Sequence, residues 1–146
     1  MPRAAINTSV IWSDLVNPSG PLGGLVDLWY SARYDLIWTD ETLAEYREVL
    51  LDPRYLARLD YASEADEFLT LVELCGVHVE PSTKIMPVIR DVHDEIWQAA
   101  AVGGEAEYLV TADGDFLHEA DLIRSMRDLG VRIVTPAIFR REIERL

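Results

Sequence analysis

The chain has 146 residues, 49% hydrophobic and 27% charged, a balance that suits one soluble globular domain over residues 1–146 and argues against disorder. Its formal net charge of −13 argues against a general nucleic-acid binder, because nonspecific binding to phosphates is driven mainly by Lys and Arg. A single cysteine, Cys75, no signal-peptide architecture after Met1-Pro2-Arg3, and no apolar run near the roughly 20 residues that cross a bilayer together predict a reduced, cytoplasmic protein with no membrane segment.

In chain order, Arg3 to Asn7 reads as a short buried strand, and Ser9 to Trp12 as a turn or helix start. After Pro18-Ser19-Gly20-Pro21, the spacing of Leu22, Leu25, Val26, Leu28 and Trp29 predicts a helix over 22–32. Asp35 to Thr39 reads as a strand, and Asp40 to Leu51 as an amphipathic helix with Thr39 or Asp40 as its cap. Pro53 opens a helix through Leu59, and Ser63 to Cys75 a second, the two forming a helical hairpin. Gly76 stops that helix before a short strand at Val77 to Val79, and Pro81 to Pro87 reads as a loop, with structure resuming near Ile89. Asp94 is the expected N-cap of a helix over Glu95 to Val102, ended by Gly103-Gly104. The strand Tyr108 to Thr111, an Asp-rich loop, a helix over 121–129, the strand Val131 to Val134 and a helix opened by Pro136 complete the chain. No internal repeat interrupts this alternation, which predicts an α/β fold: a central, mainly parallel sheet flanked by helices on both faces.

In such sheets ligands bind beyond the carboxyl ends of the strands, so polar residues just after strands carry weight. Asn7 ends the first strand, Asp113 and Asp115 follow the strand Tyr108 to Thr111, Asp94 opens the preceding helix, and Glu45 lies one turn into the helix after the second strand. Each also has a bland explanation. Glu45, between Glu41 and Glu48, reads alone as a solvated face; Asp94 as a cap; Asp113 as a turn residue.

Taken together, the segments Ile6-Asn7-Thr8-Ser9-Val10, Thr42 to Leu50 around Glu45, Arg90 to Glu95 around Asp94, and Val110-Thr111-Ala112-Asp113-Gly114-Asp115 resemble PIN domains. Those domains carry an Asp-Thr-Asn/Ser-Val run after strand one, a helical Glu, and later an Asp pair around a Thr-x-Asp turn. The ending Gly130 to Pro136, a last strand leading into a Pro-started helix, is similar to VapC-like toxin components of toxin–antitoxin pairs. The resemblance implies a three-layer PIN-like fold and a metal-dependent endoribonuclease acting on single-stranded RNA. It implies Glu45, Asp94, Asp113 and Asn7 as catalytic core, Asn7, Asp94, Asp113 and Asp115 around Mg²⁺ or Mn²⁺, and Thr8 and Thr111 as orienting hydroxyls. It further implies a cognate antitoxin protein covering the acidic groove, and a homodimer. Hard divalent ions prefer oxygen ligands, and carboxylates that hold them leave coordination positions for water and phosphate, as phosphodiester hydrolysis requires.

Asn7 departs from the pattern, because its amide oxygen can ligate a metal but carries no charge and cannot act as a carboxylate base. It marks either natural degeneration or a deliberate inactivating change. The alternative function is therefore a catalytically inactive PIN-like module that binds RNA or a protein; for a third reading, a metal-dependent phosphatase of small phosphoesters, the chain lacks the expected Asp-x-Asp signature near strand one.

Arg54 and Arg58, four apart with Tyr55 between, offer a grip on an RNA backbone or else form a salt-bridged exposed helix. Of the tryptophans, Trp12 is the candidate for base stacking, and the others read as core. His78, His93 and His118 lack close ligand spacing, so no zinc site is expected, and Gly20, Gly23 and Gly24 lack the Lys-Ser/Thr ending of a phosphate loop. The late arginines, Arg124, Arg127, Arg132, Arg140, Arg141 and Arg145, either meet a partner or balance the surplus acids.

Overall fold

A computed structural model describes residues 1–20, 23–57, 59–84 and 92–146, apart from the side chains of Leu59, Val92, His93, Asp94 and Asp115. The elements run β1 (Arg3–Ile6), α1 (Thr8–Val16), α2 (Leu25–Tyr30), β2 (Asp35–Trp38), α3 (Asp40–Leu50), α4 (Pro53–Leu56) and α5 (Leu59–Cys75). They continue β3 (Val77–His78), α6 (Val92–Gly103), β4 (Tyr108–Val110), α7 (Gly114–Leu117), α8 (Ala120–Asp128), β5 (Arg132–Val134) and α9 (Pro136–Glu144).

The strands form a five-stranded sheet in the order β3-β2-β1-β4-β5, and every pairing among them is parallel. Parallel neighbours require crossovers, and the helices between strands supply them. Successive side chains of a strand face opposite sides, so the burial of Ala4, Ala5 and Ile6 in a row on β1, and of Tyr108, Leu109 and Val110 on β4, means that both faces are covered. The result is the expected three-layer α/β fold.

Small side chains set how closely the helices approach the middle strand. Ala4 and Ala5 of β1 meet α6, which brings Ala100 and Ala101 to its buried side. A Cβ on Gly103 would stand 2.0 Å from the Glu80 carbonyl oxygen, so the end of α6 passes the incoming chain only with glycine there. Large aromatics fill the space farther out: Tyr46, Phe68 and Trp97 meet between α3, α5 and α6, and Tyr34 and Tyr108 pack edge-on against Phe139 of α9.

Several boundaries differ from expectation, each for a packing reason. The helix expected from Ser63 begins at Leu59, because Tyr61, Ala65, Phe68 and Val72 recur at helical spacing and are buried, with the Tyr61 hydroxyl donating to the Leu50 carbonyl at 2.8 Å. Its partner in the expected hairpin shrinks to the single turn α4. Asp94 is not an N-cap: α6 starts at Val92, which places Asp94 inside the first turn. The Asp-rich loop contains the short helix α7. Residues 21–22, 58 and 85–91, which include Arg58 and the expected restart near Ile89, lie outside the described residues. Among the described residues, no helix is long and apolar enough to cross a membrane.

Candidate active site

The carboxyl ends of β1 and β4 lie side by side, since Ile6 pairs with Val110, and the next residue of each strand is polar. Asn7 continues the ladder by donating its N–H to the Val110 carbonyl at 2.9 Å, and Thr111 donates to Val134 at 3.1 Å. Asn7 and Thr111 thus leave the sheet as neighbours, both buried.

Asn7 is the N-cap of α1. Its Oδ1 accepts from the Ser9 N–H at 3.2 Å, and its carbonyl receives Val10 and Ile11. Asn and Asp cap about equally well, so this position keeps its structural job without a charge. The residue is only 8% exposed.

Glu45 is delivered by α3, whose start is fixed by a buried capping box: the Thr42 N–H donates to Thr39 Oγ1 at 3.1 Å, and the Thr39 N–H to Thr42 Oγ1 at 2.9 Å. One residue past Glu45, the buried Tyr46 hydroxyl donates to the Ile6 carbonyl and ties α3 to the end of β1. Burial first, and then the neighbouring Glu45 charge, raise the Tyr46 phenol well above its ordinary range, so this donor keeps its proton. The Glu45 carboxylate, half-buried, accepts from the Thr8 hydroxyl and from the Trp97 indole N–H at 2.9 Å, both on Oε2.

On the other side, the buried Thr111 Oγ1 accepts from the Asp113 N–H at 3.0 Å, and the Asp113 carbonyl receives Phe116 and Leu117 as α7 begins. This hydroxyl-to-backbone turn sets the chain direction at half-buried Asp113. Asp115 stands within α7 beside it. In the crossover before β4, α6 runs back along the sheet, so its first turn and Asp94 lie at this same edge, where Trp97, three residues on, meets Glu45.

Asn7, Thr8, Glu45, Thr111 and Asp113 are therefore assembled at one edge, and the backbones of Asp94 and Asp115 border it. Among the described residues, no three His, Cys, Asp or Glu gather closely enough to hold a cation. The expected ligand set also draws on Asp94 and Asp115, whose side chains lie outside the described residues. As a donor set it consists of oxygens alone, which fits a hard divalent ion.

Trp12 is one helical turn from Thr8 on α1, and its ring meets Tyr55 at 5.2 Å. The Arg54 guanidinium lies over the same Tyr55 ring at 5.8 Å, with its side chain 80% exposed. Arg54 also grips Asp52 through two bonds of 2.8 and 3.0 Å, which hold the Asp52 carboxyl down to about 2. Two of the suggested RNA contacts are thus joined by Tyr55, a residue the sequence offered only as a spacer. Several late arginines pair with acids: Arg124 with Asp121, Arg132 with Glu142 and Arg140 with Glu144. His78 pairs with Asp40 and stacks on Trp38.

Two contributors escaped sequence reading. Trp97 read as core, and its bond to Glu45 spans 52 positions. Asp14 carried no signal at all, yet it is 2% exposed, and its two oxygens accept the N–H groups of Gly24 at 2.6 Å and Val26 at 2.7 Å.

A PIN domain family model matches residues 3–115. The chain is also similar to the uncharacterized protein MJ1680 of Methanocaldococcus jannaschii, at 25% identity over 145 residues that cover 98% of this chain and 92% of that protein.

Proposed function

Because the chain belongs to the PIN domain family, we propose that it is a metal-dependent endoribonuclease of single-stranded RNA, the toxin of a toxin–antitoxin pair, with Asn7 replacing one site carboxylate. Family membership by itself points to nuclease-type chemistry on nucleic acid, typically with a divalent metal. The observation that carries the finer reading is the convergence at the sheet edge. Asn7 and Asp113 follow adjoining parallel strands, and Thr8 reaches Glu45 from the same edge.

In this reading Asn7, Asp94, Asp113 and Asp115 hold Mg²⁺ or Mn²⁺, Asp115 directly or through a water, and Glu45 completes the catalytic core with Asn7, Asp94 and Asp113. The bound ion would supply an activated water and neutralise charge on the leaving oxygen. Thr8 and Thr111 orient Glu45 and the Asp113 turn. Trp12 and Tyr55 offer ring faces to bases, and Arg54, with Arg58, a cation to phosphate. The net charge of −13 then has a use, since metal at the acidic edge cancels it where RNA must approach. A homodimer in the cytoplasm, with an antitoxin over the groove, completes the proposal.

A second reading, an inactive PIN-like module that binds RNA or a protein, is favoured by one observation: the Asn7 amide oxygen already serves as a helix cap, a job that needs no charge. Cleavage of labelled single-stranded RNA by this chain and by Asn7→Asp, each with Mn²⁺ or with EDTA, separates the two. Nuclease chemistry predicts cleavage that rises in the variant and stops with EDTA. Absence of cleavage by both folded proteins would favour the binding module.

A further inference from the structure

The metal-nuclease reading assigns no role to Trp97, yet Trp97 holds Glu45, a carboxylate that reading depends on. Its ring is 1% exposed and packs against Tyr46 at 5.3 Å, while its Nε1–H donates to Glu45 Oε2 at 2.9 Å. The Thr8 hydroxyl donates to the same oxygen. An indole N–H can only donate, and two donors on Oε2 use that oxygen's lone pairs. Oε1 is left as the oxygen for a cation or its water.

A buried indole usually finds some acceptor, and under that rule alone the bond would be a matter of packing. This fold does not enforce that rule: the indole nitrogens of Trp12 and Trp38 are buried without a partner among the described residues. The Trp97 pairing is therefore not a general requirement of burying tryptophan here. It also joins α3 to α6, the two helices whose backbones carry Glu45 and Asp94.

We infer that Trp97 is a positioning residue, which with Thr8 locks the Glu45 carboxylate so that Oε1 alone faces the divalent ion; this rests on the metal-nuclease reading. The residue gives up the rotamer freedom of Glu45 during folding rather than during binding.

The test is Mn²⁺ affinity, measured by calorimetry on the full chain, on Trp97→Phe, on Glu45→Gln and on the double variant, with thermal melts as the check of folding. Trp97→Phe keeps a ring and removes the donor; it is expected to weaken Mn²⁺ binding by about 10–100-fold. In the Glu45→Gln background the same change should add nothing, since its effect passes through the carboxylate. Equal weakening in both backgrounds, or none in either, overturns the inference while leaving the nuclease reading intact. Failure of the parent chain and of Asn7→Asp to bind Mn²⁺ overturns the metal reading itself, and this inference with it. Should Trp97→Phe not fold, Thr8→Val removes the other donor to the same oxygen and carries the same expectation.

Discussion

Asp14 and Glu45 sit on the neighbouring helices α1 and α3, and each carboxylate accepts two hydrogen bonds, but the donors differ in kind. Both Asp14 oxygens are taken by backbone N–H groups at the start of α2, where Gly24 adopts a φ of +90° that favours glycine. Arg140 closes the same corner by donating to the Gly23 carbonyl at 3.0 Å. Glu45 is held on one oxygen only, by two side chains, at the edge of the sheet. A carboxylate with both oxygens engaged by backbone is spent on the fold, whereas one pinned at a single oxygen remains available for chemistry. Acid count and burial alone would have ranked Asp14 as the more interesting residue.

The comparison breaks most directly in stability. Asp14→Ala strands two N–H groups in a buried corner and is expected to cost about 2–4 kcal/mol in urea unfolding. Glu45→Gln keeps an oxygen for Thr8 and Trp97, so its cost should stay below about 1 kcal/mol. Similar losses in the two variants would mean that Glu45 is as structural as Asp14, and the site reading would lose its central acid.

That contrast also marks what the sequence could disclose. Asn7 and Asp113 were readable because strands of a parallel sheet are continuous apolar runs, and polar residues within the first few positions after each fall at the ligand edge. Glu45 was placed by its position one turn into the helix after the second strand but gained its weight through family resemblance, since its spacing to Glu41 and Glu48 describes an ordinary solvated face. The ties that distinguish Glu45 from Asp14 were not readable. Trp97 reaches Glu45 across 52 positions, and the donors to Asp14 are backbone groups that every residue but proline possesses. Helix starts failed for a related reason: Ser63 and Asp94 have the chemistry of caps, but buried Tyr61 draws one helix to start earlier, and the other already begins at Val92.

Gln98 sharpens the comparison with a buried polar group that has neither kind of tie. It is 0% exposed on α6, and among the described residues neither amide atom has a hydrogen-bond partner. Gln98→Met preserves length and removes the unsatisfied atoms, so it should stabilise the protein by about 1 kcal/mol. A lower melting temperature in that variant would reveal an acceptor or a buried water at the amide.

The smallest effect, and the one that separates the two kinds of carboxylate by sign, is the pH dependence. Burial raises the Asp14 carboxyl above its ordinary 3.8, overriding the two N–H groups that act in the opposite direction. The folded state then binds that proton more tightly than the unfolded chain. The Asp14 contribution is therefore full below 3.8 and is lost as pH rises through the folded value. Glu142 behaves in reverse, because the Arg132 guanidinium holds its carboxyl below the ordinary 4.5; its contribution is present above 4.5 and is lost as acid is added. Urea midpoints taken at successive pH values for Asp14→Asn and Glu142→Gln should diverge from the parent in opposite directions. The Asp14→Asn gap should be widest at or below pH 3.8 and narrow as the pH rises, while the Glu142→Gln gap should be widest near neutrality. An Asp14→Asn gap that instead widens with pH would mean that the backbone donors outweigh burial. Asp14 would then be an ordinary charged helix cap, and its difference from Glu45 would rest on geometry alone.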